Sequence, residues 1–130
     1  MPDPERLVDL YCQAWFCPAP ETRRSLLAQA VEQDVTYVDP TVSIVGIASL
    51  ASHIDRVVEA RPGFWLERTT VVDHHHDVLR FGWVQRGANG FRGAESIDVC
   101  RLSRQGKLTD IIGFFGPLAA MPGSGLERHE

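Results

Sequence analysis

The chain has no apolar run long enough to span a membrane, so no transmembrane helix is expected. Its opening, MPDPERL, lacks a basic stretch followed by an apolar one, and no signal peptide is expected from it. Positive charge is in short supply: 13 Lys and Arg stand against 17 Asp and Glu, for a formal charge of -4. With no basic stripe and no aromatic RNA-binding signature, nucleic acid and anionic membrane are poor partners. Cysteine is scarce and odd in number: Cys12, Cys17 and Cys100, with no CxxC. That usage argues against a disulfide framework and fits a reduced, cytoplasmic protein. Cys12 and Cys17 lie five apart in one predicted helix, point in different directions and make a poor metal pair. Internal repeats are absent as well.

What is present is an ordinary globular composition. The 130 residues suffice for one domain whose core needs neither disulfides nor a structural metal. Asp3 can cap a first helix, Pro4 suits its first turn and Glu5 favours the positive end of its dipole. Leu7, Leu10, Tyr11, Ala14 and Trp15 then recur at helical spacing, with Tyr11 in the middle of the apolar face. CPAP breaks that helix. A second helix is predicted over 21–32, a short strand in DVTYVDP, and a third helix over 47–60 with Leu50, Ala51, Ile54, Val57 and Val58 on one side. The second half reads as four strands, in FWLERTTVV, DVLRFGWVQ, FRGAESIDVCRL and KLTDIIGFFG, joined by turns at DHHHD, RGANG and SRQG. Helices followed by a strand meander imply an α+β fold, with three helices packed on a strongly curved antiparallel sheet that encloses a pocket. The domain is expected to occupy 1–117, and 118–130 to form a flexible Gly- and Pro-rich tail.

Strand alternation sorts the side chains. Leu79, Phe81 and Trp83 share one face, the expected core face. Val78, Arg80 and Val84 share the other. Ser96, Asp98, Cys100 and Leu102 lie together, opposite Ile97 and Val99. Asp98 is thus an acid in mid-strand among residues that favour burial. It either pairs with an arginine, for which Arg80, Arg92 and Arg101 are available, or raises its pKa and stays protonated. Asp39, at the end of an apolar strand and just before Pro40, is either turn chemistry or a base at the mouth of a pocket. Tyr11 is either a core tyrosine or a hydroxyl aimed at a ligand.

These positions carry a resemblance. DLYCQAW in the first helix, YVDPTVSIVG, ESIDVCRL and IIGFFG resemble the nuclear-transport-factor-2-like superfamily, and within it the SnoaL-like and ketosteroid-isomerase-like groups. The match runs from about Leu7 to Phe115. It implies a cystatin-like cone and no cofactor or metal. Tyr11, Asp39 and Asp98 fall on the family's catalytic positions. Asp39 would move a proton next to a carbonyl, while Tyr11 and a neutral Asp98 donate hydrogen bonds to the enolate oxygen. Ketosteroid isomerase is the reference case of a protonated acid in an oxyanion site, so this pattern comes with the resemblance. Phe115 matches a pocket-lining phenylalanine. Trp15, Ile54, Phe81, Trp83, Cys100 and His75 complete the expected wall. The expected ligand is a small apolar molecule, and the superfamily's back-to-back sheet pairing implies a homodimer, with Ile97, Val99 and Val84 on the outer face.

His74, His75 and His76 invite a metal reading, but adjacent strand residues alternate sides, so at most two converge, and DHHHD reads as a turn. His75 shares parity with Trp83 and so is expected to reach the pocket rim. His53 sits at the edge of the third helix's apolar stripe. Either histidine beside an acid would suggest a dehydratase or hydrolase. A packed cavity with Asp98 bridged to arginine would suggest a non-catalytic binding or dimerisation domain.

Overall fold

A computed structural model describes residues 3–123. Helix α1 (Pro4–Phe16) starts where Asp3 accepts a hydrogen bond from the Glu5 amide at 3.0 Å. Helix α2 (Pro20–Ala30) opens on a proline and ends at Val31, whose backbone is extended. It is shorter than the predicted 21–32 because Val31 already pairs with Leu108. Strand β1 (Val31–Asp39) is correspondingly longer than DVTYVDP. Asp39 does not end the pairing: the chain turns at Pro40 and Thr41 and returns as β2 (Val42–Val45), a strand the sequence reading lacked. Helix α3 (Ile47–Ala60) follows.

The meander comprises β3 (Trp65–Arg68), β4 (Asp73–His75), β5 (Val78–Arg86), β6 (Ser96–Leu102) and β7 (Leu108–Phe114). Strand β4 takes two of the three adjacent histidines out of the predicted turn by pairing them with β5, leaving His76 at φ 53° in the left-handed region. The order is β2-β1-β7-β6-β5-β3, with β4 also on β5. Every pairing is antiparallel except β1 with β7, which is parallel. The sheet is therefore mixed: β1 meets β7 through a long crossover, which does not impose the reversal that a hairpin does. Register breaks between Val31 and Thr36 and at Arg101–Leu102 bend it.

The fold is α+β, three α-helices in the hollow of a curved seven-stranded sheet. Val8, Tyr11, Ala14, Leu27, Leu50, Ile54, Leu79, Phe81 and Ile111 form the core between the two layers. Arg23 fastens the helices together, donating to the Cys17 carbonyl at 2.6 Å and to Asp55 at 2.8 Å. On the outer face, register aligns Val38, Ile112 and Val99 across three strands, with Phe114 beside Ile97. Val84, expected on that exposed face, is instead 0 % exposed, so the outer apolar row does without it. No described helix is long and apolar enough to cross a membrane. Part of the predicted flexible tail, 124–130, lies outside the described residues.

Candidate active site

Helical and strand periodicities converge on one cavity of about 160 Å³ lined by both the helices and the sheet. Tyr11 and Trp15 enter from α1, one turn apart. His53, Val57 and Arg61 enter from α3 at four-residue spacing, the last just beyond the helix end. Strand β5 supplies Trp83 and Gln85, β1 supplies Tyr37 and Asp39, and β6 supplies Asp98. The floor is buried: Tyr11 is 0 % and Asp98 5 % exposed. Thr41, Arg61 and Phe115 form an exposed rim.

Tyr11, Asp39 and Asp98 therefore line the same hollow, together with Trp15, Trp83 and Phe115. Gly113 explains how the two acids come so near. It pairs with Asp98, and a Cβ there would stand 2.9 Å from Asp98 Oδ1 and 3.5 Å from the Asp39 Cβ. Phe115 is held at the mouth because the Gly116 amide donates to Ser96 Oγ at 3.0 Å, and its ring stands edge-on to Trp83 at 5.9 Å.

The other expected wall residues lie elsewhere. Ile54 sits one step round α3 from His53 and packs with Ala14, Leu27 and Ala51 against α2. Phe81 and Cys100 share the parity of Trp83 and Asp98, but they lie further along the strands in the closed core. His75 is exposed at the opposite end of β5, paired with Val78, and its ring contacts His76. Among the described residues, no group of three His, Cys, Asp or Glu side chains converges to hold a metal.

The two carboxyl groups have opposite environments. Burial pushes Asp39 up, but four donors outweigh it and hold the group below the usual carboxylate value. Tyr37 Oη donates to Oδ2 at 2.5 Å, Thr41 donates to Oδ1 from both its hydroxyl and its amide at 2.7 Å, and the Val42 amide donates at 3.2 Å. Asp39 is thus both turn chemistry and a cavity residue. Among the described residues Asp98 has a single donor, Trp83 Nε1, on Oδ1 at 3.0 Å. Burial, offset in part by that bond and reinforced by the charge of Asp39, raises it to about 7. The arginine alternatives are engaged elsewhere: Arg80 with Asp73, Arg92 with Glu95, and Arg101 with Asp77 and Asp110.

The Tyr11 hydroxyl is buried with no hydrogen-bond partner among the described residues. Burial, with Asp98 nearby, outweighs the opposing influence of the Trp15 side chain and raises its pKa well above the ordinary value, so it is a neutral donor whose own proton meets no acceptor among the described residues. His53 packs edge-on to Trp15 at 5.9 Å and beside Tyr37 at 6.1 Å. Burial lowers its pKa against the pull of Asp39, keeping the ring neutral near pH 7. No hydrogen bond joins His53 to either acid among the described residues.

Tyr37, Thr41, Arg61 and Gln85 were not singled out from the sequence. Parity places Tyr37 on the same side as Asp39, and a four-residue step from His53 through Val57 reaches Arg61, so both were recoverable. Gln85 continues the parity of Trp83. Thr41 needed the β1–β2 turn.

No protein-family profile matches the chain, and no curated protein matches it. Solved structures do. The chain is similar to a SnoaL-like family protein from Agrobacterium tumefaciens, a candidate isomerase, with 28% identity, TM-score 0.80, and 86% of this chain and 96% of that one covered. A protein of ketosteroid-isomerase-like fold from Catenulispora acidiphila matches at 18% identity and TM-score 0.69, covering 88% of each chain. A candidate polyketide cyclase from Xanthomonas campestris matches at 16% identity and TM-score 0.64, covering 85% of this chain and 88% of that one. The chain has the nuclear-transport-factor-2-like fold. Within it, the likeness to the Agrobacterium protein is to the SnoaL-like branch.

Proposed function

We propose that the chain catalyses cofactor-independent proton transfer next to the carbonyl of a small apolar compound bound in the cavity. The observation that carries this reading is the Tyr11 hydroxyl, buried without a partner on the floor that Asp98 shares. Burying a hydroxyl unpaired costs about 1–3 kcal/mol, which a ligand oxygen accepting its proton recovers.

Each residue has a role fixed by its free atoms. Asp39 is ionised and is the base. Its Oδ1 already accepts three hydrogen bonds, whereas Oδ2 accepts only that of Tyr37 and keeps a lone pair for the proton. Asp98 is protonated below about pH 7. With Oδ1 occupied by Trp83, Oδ2 carries the proton and donates it, alongside Tyr11, to the oxygen that becomes an enolate. The base then returns its proton to another carbon. Walls of Trp15, Phe16, Val57, Leu66 and Trp83 exclude water and strengthen these donors.

The cavity, about 160 Å³, is near the size of an engineered cavity of about 150 Å³ that admits benzene. It suits a substrate of one ring and is too small for a tetracyclic one. The likeness to a candidate isomerase and a candidate polyketide cyclase supports carbonyl chemistry.

The test is isomerisation of 3-cyclohexen-1-one to the conjugated enone, followed by ultraviolet absorbance. Asp39→Asn is expected to lower kcat by about 10²–10⁴ with the fold intact. Equal turnover by the variant means Asp39 is not the base. A second reading, a dehydratase or hydrolase, draws on the neutral His53 ring lining the same cavity, although no hydrogen bond joins it to Asp39 or Asp98 among the described residues. In that case His53→Gln, rather than Asp39→Asn, removes activity, and the substrate is a hydroxy compound.

We also propose that the outer row of Val38, Ile112 and Val99 pairs with a second copy of the chain. These residues are part of a contiguous apolar surface that a solvated monomer rarely leaves bare.

A further inference from the structure

Arg61 is the one arginine or lysine among the described residues lining the cavity, and neither cavity acid pairs with it. Among the described residues it forms no ion pair; it donates from Nη1 to Gln85 Oε1 at 2.9 Å, and its guanidinium lies 5.4 Å from the Phe64 ring centre. These two contacts hold a flexible side chain at the rim. They also turn the Gln85 oxygen toward Arg61, so that Gln85 Nε2 and the remaining Arg61 nitrogens are left as donors for a ligand. A donor-only patch with a planar fork matches a carboxylate. The remaining rim and floor groups do not compete for that role. Asp39 is itself an ionised carboxylate and does not bind another, and Tyr11 and Asp98 stand at the buried end.

We infer that the substrate is a small oxo acid, its ketone on Tyr11 and Asp98 and its carboxylate on Arg61 and Gln85 at the mouth. This rests on the proton-transfer reading for the floor and adds the second anchoring point. The cavity volume of about 160 Å³ admits a one-ring skeleton, and the charged group would remain at the exposed end, where it keeps most of its hydration. Arg61 also offers an anion a local cation on a chain whose formal charge is -4. The enolate forms at the far end from the carboxylate, so the two negative charges stay separated.

The experiment compares two probes, 4-oxocyclohexane-1-carboxylate and 4-methylcyclohexanone, titrated against the protein while the emission of Trp15 and Trp83 is followed. The acid is expected to bind about tenfold more tightly, the scale of one hydrogen bond to a charged group. Arg61→Leu is expected to erase that advantage, weakening the acid while leaving the ketone where it was, and Arg61→Lys to restore part of it. Gln85→Leu is expected to weaken the acid by a smaller factor. An acid that binds no better than the ketone, or a preference that survives Arg61→Leu, overturns the inference. Tyr11→Phe separates the two readings. If it weakens both probes equally while Arg61→Leu changes neither, the floor stands and the rim does not. If Arg61→Leu acts and Tyr11→Phe does not, the rim stands and the proton-transfer reading falls. Arg61 is exposed, so thermal melting of its variants should match the parent and exclude misfolding as the cause.

Discussion

Asp98 meets solvent over 5 % of its surface and has Trp83 as its one recorded hydrogen-bond donor. The contrast with Asp39, which four donors hold ionised, sets a pH dependence with a definite sign. The active form has Asp39 ionised and Asp98 protonated. Activity should rise as pH passes the lowered pKa of Asp39, stay level through mild acid, and fall above about 7 as Asp98 ionises. A kcat profile still climbing at pH 8 contradicts this. Stability follows the same group. The folded pKa of Asp98 lies above its ordinary value of 3.8, so the folded state keeps a proton that the unfolded chain releases. Its contribution is fully present below that ordinary value and is lost as pH rises to about 7. Between pH 5 and 8, urea unfolding should show the parent losing about 2–3 kcal/mol relative to Asp98→Asn, which keeps the shape and the Trp83 bond but cannot ionise. Equal pH dependence of the two proteins means Asp98 is not buried neutral. At this scale the sequence was informative about type and parity: it marked Asp98 as an acid in mid-strand and Tyr11 as the centre of a helix face. It was silent on who occupies Arg80 and Arg101, because their partners Asp73 and Asp77 are set by strand pairing, and on Arg92, whose partner Glu95 is set by the loop before β6.

The elements hold these residues by a few specific contacts. Arg23, buried at the α1–α2 junction, reaches Asp55 on α3 and the Cys17 carbonyl. Asp55→Ala leaves a buried guanidinium without its counter-ion and should cost about 3 kcal/mol in urea unfolding; a change within 0.5 kcal/mol would mean that the helices do not rely on the clip. Gly113 on β7 is the gap between the acids. Gly113→Ala sets a methyl 2.9 Å from Asp98 Oδ1, so the carboxyl must leave Trp83 or the strand must shift. The expected cost is about 1–3 kcal/mol, with activity falling further than stability alone accounts for. Full activity in that variant would show that the placement of Asp98 is not needed. Helical and hairpin periodicity made α1, α3 and the β5–β6–β7 meander readable. The β1–β2 turn was not readable because Asp-Pro reads as a stop, and nothing local distinguishes a strand that ends from one that doubles back. The parallel β1–β7 pairing is likewise a property of the crossover, invisible in either strand.

At the scale of the molecule, a curved sheet has a hollow face and an outer face, and alternation puts both on the same strands. In β6, Asp98 and Cys100 face inward while Ile97 and Val99 face out. If the outer row pairs two copies, sedimentation equilibrium should give twice 14.5 kDa, and Ile112→Lys should give the single-chain mass. A parent chain that sediments as a monomer at micromolar concentration would rule the pairing out. The order of helices and strands made the cone legible, whereas the wall was only half legible. Parity tells which side of the sheet a residue faces but not how far along the cone it sits. That is why Phe81 and Cys100 fell in the closed core and His75 beyond the other end. The central claim is that one enclosed hollow holds a neutral acid and an ionised acid side by side. Carbon-13 carboxyl NMR of Asp39 and Asp98 across the pH range measures this directly. The account predicts that Asp98 titrates near 7 and Asp39 below its ordinary range; an Asp98 that titrates as an ordinary exposed carboxyl would contradict it.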